Sequence, residues 1–125
     1  IKFRNVRAYI REEIERYYKP GLMSGSPHRP RLNYVNFWAN VYEKGDSADV
    51  HNHKPNYFSF AYFLKCEDDH APLVFTASGC RIIPREGTFV AFPAYLDHHV
   101  EEHKADSSRI TLSGNFDLNK CLSVF

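Results

Sequence analysis

Hydrophobic spacing along this chain changes period once, from helical to strand-like. Phe3, Val6, Ile10, Ile14 and Tyr17 recur at steps of three or four, while Arg7, Arg11, Glu12, Glu15 and Arg16 lie largely outside that stripe. This spacing predicts an amphipathic helix over residues 3–18 with one buried face. Pro20-Gly21 stops it, and residues 20–31, rich in Pro, Gly and Ser, read as a loop. From Leu32 the signals are those of strands. Leu32–Tyr42 is rich in β-branched and aromatic residues, and Tyr57–Lys65 (YFSFAYFLK) is a nearly continuous apolar run, short enough for a strand covered on both faces. Leu73–Thr76, Cys80–Ile83, Thr88–Phe92 and Arg109–Phe116 complete a set of short strands divided by turn residues such as Gly45-Asp46 and Glu67–Ala71. The expected architecture is mainly β: a small antiparallel double sheet with the one helix packed outside it.

Composition narrows the class. At 125 residues and 14.6 kDa the chain fits a single domain spanning 1–125 with a real core. The ten Phe and eight Tyr favour a dense strand interior. A net charge of +1 does not describe a bulk nucleic-acid binder, although residues 1–31 carry eight basic and three acidic side chains against eight and twelve in the remainder. A solvated basic helix is the expected reading of that imbalance. The aromatic run YFSFAYFLK has only Lys65 beside it, too little positive charge for a base-stacking platform. No apolar run approaches the roughly 20 residues that cross a bilayer, and no charged, apolar, small-residue leader is present. Three cysteines (Cys66, Cys80, Cys121) without a C-x-x-C spacing point to free thiols and a cytoplasmic location; a Cys66–Cys80 pair across a hairpin is the lesser alternative.

Candidate chemistry sits in four places. His51 and His53, one residue apart, project from the same side of a strand. Imidazole nitrogens suit Fe, Zn, Cu and Ni, so the pair offers two adjacent corners of a coordination sphere. Pro84-Arg85-Glu86-Gly87 turns the chain into an apolar strand ending at Phe92-Pro93, beyond which lie His98 and His99. Alternation lets only one of these two point inward, and His98 shares its face with Val100. Arg109, Thr111, Ser113 and Asn115 share a face of the last strand. An inward arginine with a hydroxyl two residues on can grip a carboxylate through paired hydrogen bonds. Each element alone has a plainer reading: a surface histidine pair, a hydrogen-bonded core histidine, a salt bridge.

Taken in order, W38-A-N-V, G45-D, H51-N-H53, S59-F-A-Y-F-L64, P84-R-E-G87, F92-P-A-Y-L-D-H98 and R109-I-T-L-S-G-N-F116 resemble the small 2-oxoglutarate/Fe(II) oxygenases of phage and marine bacterial genomes, relatives of the prolyl hydroxylases. The resemblance covers residues 38–116. It implies a double-stranded β-helix (jelly-roll, cupin-like) domain that uses Fe(II), 2-oxoglutarate and O₂ to oxidise a second substrate. It places His51 and His98 as metal ligands, Arg109 on the far carboxylate of 2-oxoglutarate, Thr111 beside it, and Tyr62 in the cosubstrate pocket. Position 53 departs from the superfamily, which usually has Asp or Glu there. Either His53 completes a three-histidine site or Asp49, two residues before His51, supplies the carboxylate.

Two other readings stay open. A cupin-type metalloprotein shares the fold and the H-x-H pair but has no need of Arg109; a catalytically silent binding module would keep the pattern without the metal. The second substrate is not legible, a membrane partner is not expected, and a homodimer stays open.

Overall fold

The structure, a computed structural model, describes residues 3–17 and 32–118. Helix α1 spans Phe3–Tyr17. Eight strands follow: β1 (Leu32–Tyr42), β2 (Ala48–His51), β3 (Phe58–Lys65), β4 (Leu73–Phe75), β5 (Cys80–Ile82), β6 (Phe89–Pro93), β7 (His98–Val100) and β8 (Arg109–Leu118). They form two four-stranded sheets in the orders β1-β8-β3-β6 and β2-β7-β4-β5, all pairings antiparallel. Only β4 and β5 are neighbours both in sequence and in a sheet. Successive strands otherwise cross between the sheets, the interleaving of a jelly roll.

The first sheet is covered on both faces, and strand alternation divides its side chains between two cores. Phe60, Tyr62, Leu112 and Phe116 point outward and pack against Val6, Ile10 and Ile14 of α1 and against Leu32. Ala61 points between the sheets, where it meets Ala71, Leu73, Phe92 and Val100. The continuous apolar run of β3 thus has the cause expected of it: Ser59 through Phe63 are all buried. The helical stripe holds at Val6, Ile10 and Ile14 but fails at Tyr17, which is 77% exposed. Tyr17 closes the last turn of the helix, at the open rim of a cleft between α1 and the sheet.

Among the described residues, close backbone approach is required at one position. A Cβ on Gly114 would lie 2.6 Å from the Asn36 carbonyl oxygen and 2.6 Å from the Phe60 ring, so only glycine lets that ring lie across β8. Cys66 is buried, Cys80 is exposed, and both are free thiols; Cys121 lies outside the described residues. No helix among the described residues is long and apolar enough to cross a membrane.

Candidate metal centre

Register in the second sheet creates the site. His51 at the end of β2 is the cross-strand partner of His98 at the start of β7, and opposed residues of an antiparallel pair bring their side chains together. Beyond His51 the strand has ended, so simple alternation does not place His53. Two other bonds do: the His53 N–H donates to the Ala94 carbonyl at 2.8 Å, and the Asn52 amide donates to Asp97 at 2.9 Å. These tie the segment after β2 to the turn between β6 and β7.

Three rings converge as a result. The potential ligand atoms of His51, His53 and His98 all lie within 4.8 Å of one another, and the Nε2 atoms of His53 and His98 are 3.2 Å apart. Nitrogens that each stand about 2.0–2.1 Å from one ion must be separated by about that much. The Nδ1–H of His51 donates to the Asp49 carbonyl at 2.6 Å, and that of His98 to the Leu96 carbonyl at 2.8 Å. A carbonyl can only accept, so both rings present an unprotonated Nε2 able to serve as a ligand, the usual arrangement behind metal-bound histidine. Burial and the neighbouring rings pull His53 down to about 4, and burial lowers His98 as well, so both are neutral at pH 7. Neutral imidazoles bind metals; imidazolium does not. The donor set therefore fits a divalent ion of the imidazole-binding group.

Asp49 contributes its backbone carbonyl to the site, not its carboxylate, and belongs to no metal-competent cluster with the histidines. Of the two adjacent histidines, His98 is the inward one at 4% exposure, and His99 bonds Thr76 at the surface.

The histidines open onto a cavity of about 130 Å³ between the sheets, whose walls include Trp38, Asn40, Arg109, Thr111 and Ser113. Arg109 is 1% exposed. Its guanidinium lies 4.9 Å from the Tyr42 ring centroid and 5.4 Å from that of Phe63. These rings attract the cation through their faces and leave its N–H groups without acceptors: Nε and Nη1 are buried with no hydrogen-bond partner. Thr111 Oγ1 is likewise buried and unpartnered. Among the described residues no carboxylate pairs with Arg109, and no Asp or Glu lines the cavity. Burial draws the guanidinium below its ordinary pKa, yet arginine stays protonated throughout the working range. Most buried polar atoms find partners. Three orphans on one wall mark a place built for an anion.

Tyr62 is a correction. It lies on the outward face of β3 within the helix-side core and is not part of the cavity wall. Its neighbour Ala61 faces the cavity instead, because adjacent strand residues point to opposite faces. Residues of β1 had no role assigned from the sequence: Trp38, whose ring centroid is 5.9 Å from that of His53, Asn40, which bonds Ser113 at 3.2 Å, and Tyr42 beneath Arg109. Their period of two was visible in the sequence, but which face turned inward was not.

His103 is the other surprise. Its neighbours Glu101, Glu102 and Lys104 are charged, yet His103 is fully buried. Its Nε2–H donates to the Ser107 carbonyl at 2.7 Å, and its backbone pairs with Gly45 and Asp46, locking the loop after β7 to the turn after β1. Nearby, Glu67, Asp69 and His70 form a second cluster of possible ligands. His70 cannot serve: Nδ1 accepts from the Glu67 N–H and Nε2–H donates to Ser107 Oγ.

No protein-family model and no curated protein matches the chain. Solved structures do. A 2OG-Fe(II) oxygenase family oxidoreductase from Burkholderia pseudomallei superposes with a TM-score of 0.64 at 18% identity, over 73% of this chain and 47% of that one. A Pseudomonas putida prolyl-4-hydroxylase gives 0.55 at 23%, over 67% and 52%. A cupin protein from Bacteroides fragilis gives 0.51 at 14%, over 87% and 91%. The fold is a double-stranded β-helix. At these identities the likeness establishes the fold alone, and the chain spans about half the length of the two oxygenases.

Proposed function

We propose that this chain is a 2-oxoglutarate- and Fe(II)-dependent oxygenase, with His51, His53 and His98 holding the metal and Arg109 and Thr111 holding the cosubstrate. One observation carries the reading: a buried arginine with free N–H groups shares a cavity with three convergent histidines and, among the described residues, no carboxylate. A structural arginine would have its salt bridge; this one has none among the described residues. With iron bound, the site would supply the redox chemistry that couples decarboxylation of 2-oxoglutarate to oxidation of a second substrate by O₂. The chain's own residues do the positioning. Arg109 takes the far carboxylate through its free N–H groups, Thr111 adds a hydroxyl, and the Tyr42 and Phe63 rings keep the guanidinium in one orientation. Asn40, Ser113 and Trp38 provide the remaining polar contacts of the cavity, and its small volume limits water around the bound acid.

A cupin-type metal enzyme is the second reading, favoured by the near-complete coverage of cupin-length chains. Arg109 separates the two. Metal-stripped protein loaded anaerobically with Fe(II) and titrated with 2-oxoglutarate should develop a weak, saturable visible charge-transfer band, lost in Arg109→Ala and His98→Ala. Stoichiometric metal with no band in the unsubstituted protein would support the cupin reading; neither metal nor band would leave a silent module of the same fold.

A further inference from the structure

The cavity is unusual in its charge. Its walls contain one cation, Arg109, three imidazoles, which must be neutral to ligate a metal, and no carboxylate among the described residues. The two acids closest in sequence to the histidines do not compensate. Asp49 is exposed and presents only its carbonyl to His51, while the Asp97 carboxylate is exposed and accepts from Asn52. A divalent ion entering alone would raise the charge of the cavity and its ligands from +1 to +3. Like charges in a partly desolvated site repel far more strongly than in water, and neutral imidazole offers nothing in return except donor atoms. A 2-oxo dicarboxylate brings two negative charges and returns the total to +1.

We infer that His53, by standing where a carboxylate would neutralise the ion, makes metal retention conditional on the diacid: cation and dianion bind as one pair. The inference rests on the functional reading above and adds to it a rule of occupancy. Without the diacid the protein gives up its metal readily; with it, metal and diacid hold each other. Reciprocity is obligatory, since any factor by which the diacid tightens the metal is the factor by which the metal tightens the diacid. Arg109 sets the selectivity of this rule. A monocarboxylate can compensate the ion but leaves the guanidinium without its partner, so the coupling should demand both charges.

Mn(II) alone is a suitable probe, its free concentration read from its electron paramagnetic resonance signal, with 2-oxoglutarate as the dianion and 2-oxobutyrate as the monoanion. The unsubstituted protein should bind Mn(II) at least about tenfold more tightly when 2-oxoglutarate is saturating, and by a clearly smaller factor with 2-oxobutyrate. In His53→Asp, and in His53→Glu as a second variant of different reach, Mn(II) alone should bind at least about fivefold more tightly than in the parent, and the gain from the diacid should shrink. Position 53 is only partly buried and lies beyond the end of β2, so both variants should fold, as circular dichroism would verify. An equal gain from the diacid in the parent and in both carboxylate variants would overturn the inference while leaving the oxygenase reading intact. Mn(II) binding that ignores 2-oxoglutarate in every variant would remove both.

Discussion

Replacing Arg109 by methionine should make the metal-free protein more stable while abolishing diacid binding. Methionine is of similar length and flexible enough to fill the space between Tyr42 and Phe63, so little cavity is created. What is removed is a cation with two buried N–H groups that have no acceptor. Each unsatisfied buried donor costs about 1–3 kcal/mol, more near a charge, and replacing buried charge by well-packed apolar groups often stabilises by about 1–4 kcal/mol. Against this stands the loss of two aromatic contacts at 4.9 and 5.4 Å, worth about 0.5–2 kcal/mol each, and water in the cavity recovers part of the solvation of the arginine. The net expectation is a gain of about 1–2 kcal/mol. For a chain of this size that raises Tm by roughly 3–10 °C. Differential scanning calorimetry of both proteins in chelator reads this directly, and calorimetric titration with Fe(II) and 2-oxoglutarate reads the loss of binding. A variant less stable than the parent by 1 kcal/mol or more would refute the reasoning, because Arg109 would then be a structural cation with partners of its own.

Gly114→Ala should lower stability by about 1–3 kcal/mol, since its Cβ would meet the Asn36 carbonyl and the Phe60 ring at 2.6 Å; urea unfolding measures the loss, and an unchanged midpoint would contradict the packing described. Acid should destabilise the metal-free protein in a defined window. With His53 near 4 in the fold and about 6.5 unfolded, the unfolded chain binds more protons between those values, so stability is full above pH 6.5 and falls as pH drops toward 4. The lowered His98 and His70 add in the same direction, and denaturant midpoints measured from pH 7.5 to 4.5 would follow it. Trp38 is the chain's one tryptophan and packs beside His53. Its emission should therefore be quenched by Co(II) in the presence of 2-oxoglutarate, and His98→Ala should shift that titration roughly tenfold or more.

Periodicity alone determined much of this protein. The switch from steps of three and four to strand patterns locates α1, and the unbroken apolar run of β3 announces a strand buried on both faces. Gly-Pro punctuation separates the short strands, and Val100 selects His98 over His99 as the inward histidine. These are local consequences of where side chains point on a helix or a strand, so they are written in neighbouring residues. Tertiary structure decided the rest. Whether His53 could join His51 depended on backbone bonds to Ala94 across 41 positions of sequence, not on alternation within β2. Tyr62 was assigned to the cavity and lies in the helix-side core, because the choice of face for β3 is made by α1 and β8 together. Residues 101–104 are polar, and it is the turn at Gly45-Asp46, the His70 ring and Ser107 that together bury His103. Above all, an arginine in a strand is chemically ambiguous until its surroundings are known. A sequence rich in acids near Arg109 suggests a salt bridge, and only the packing of two sheets showed that none of those acids reaches it.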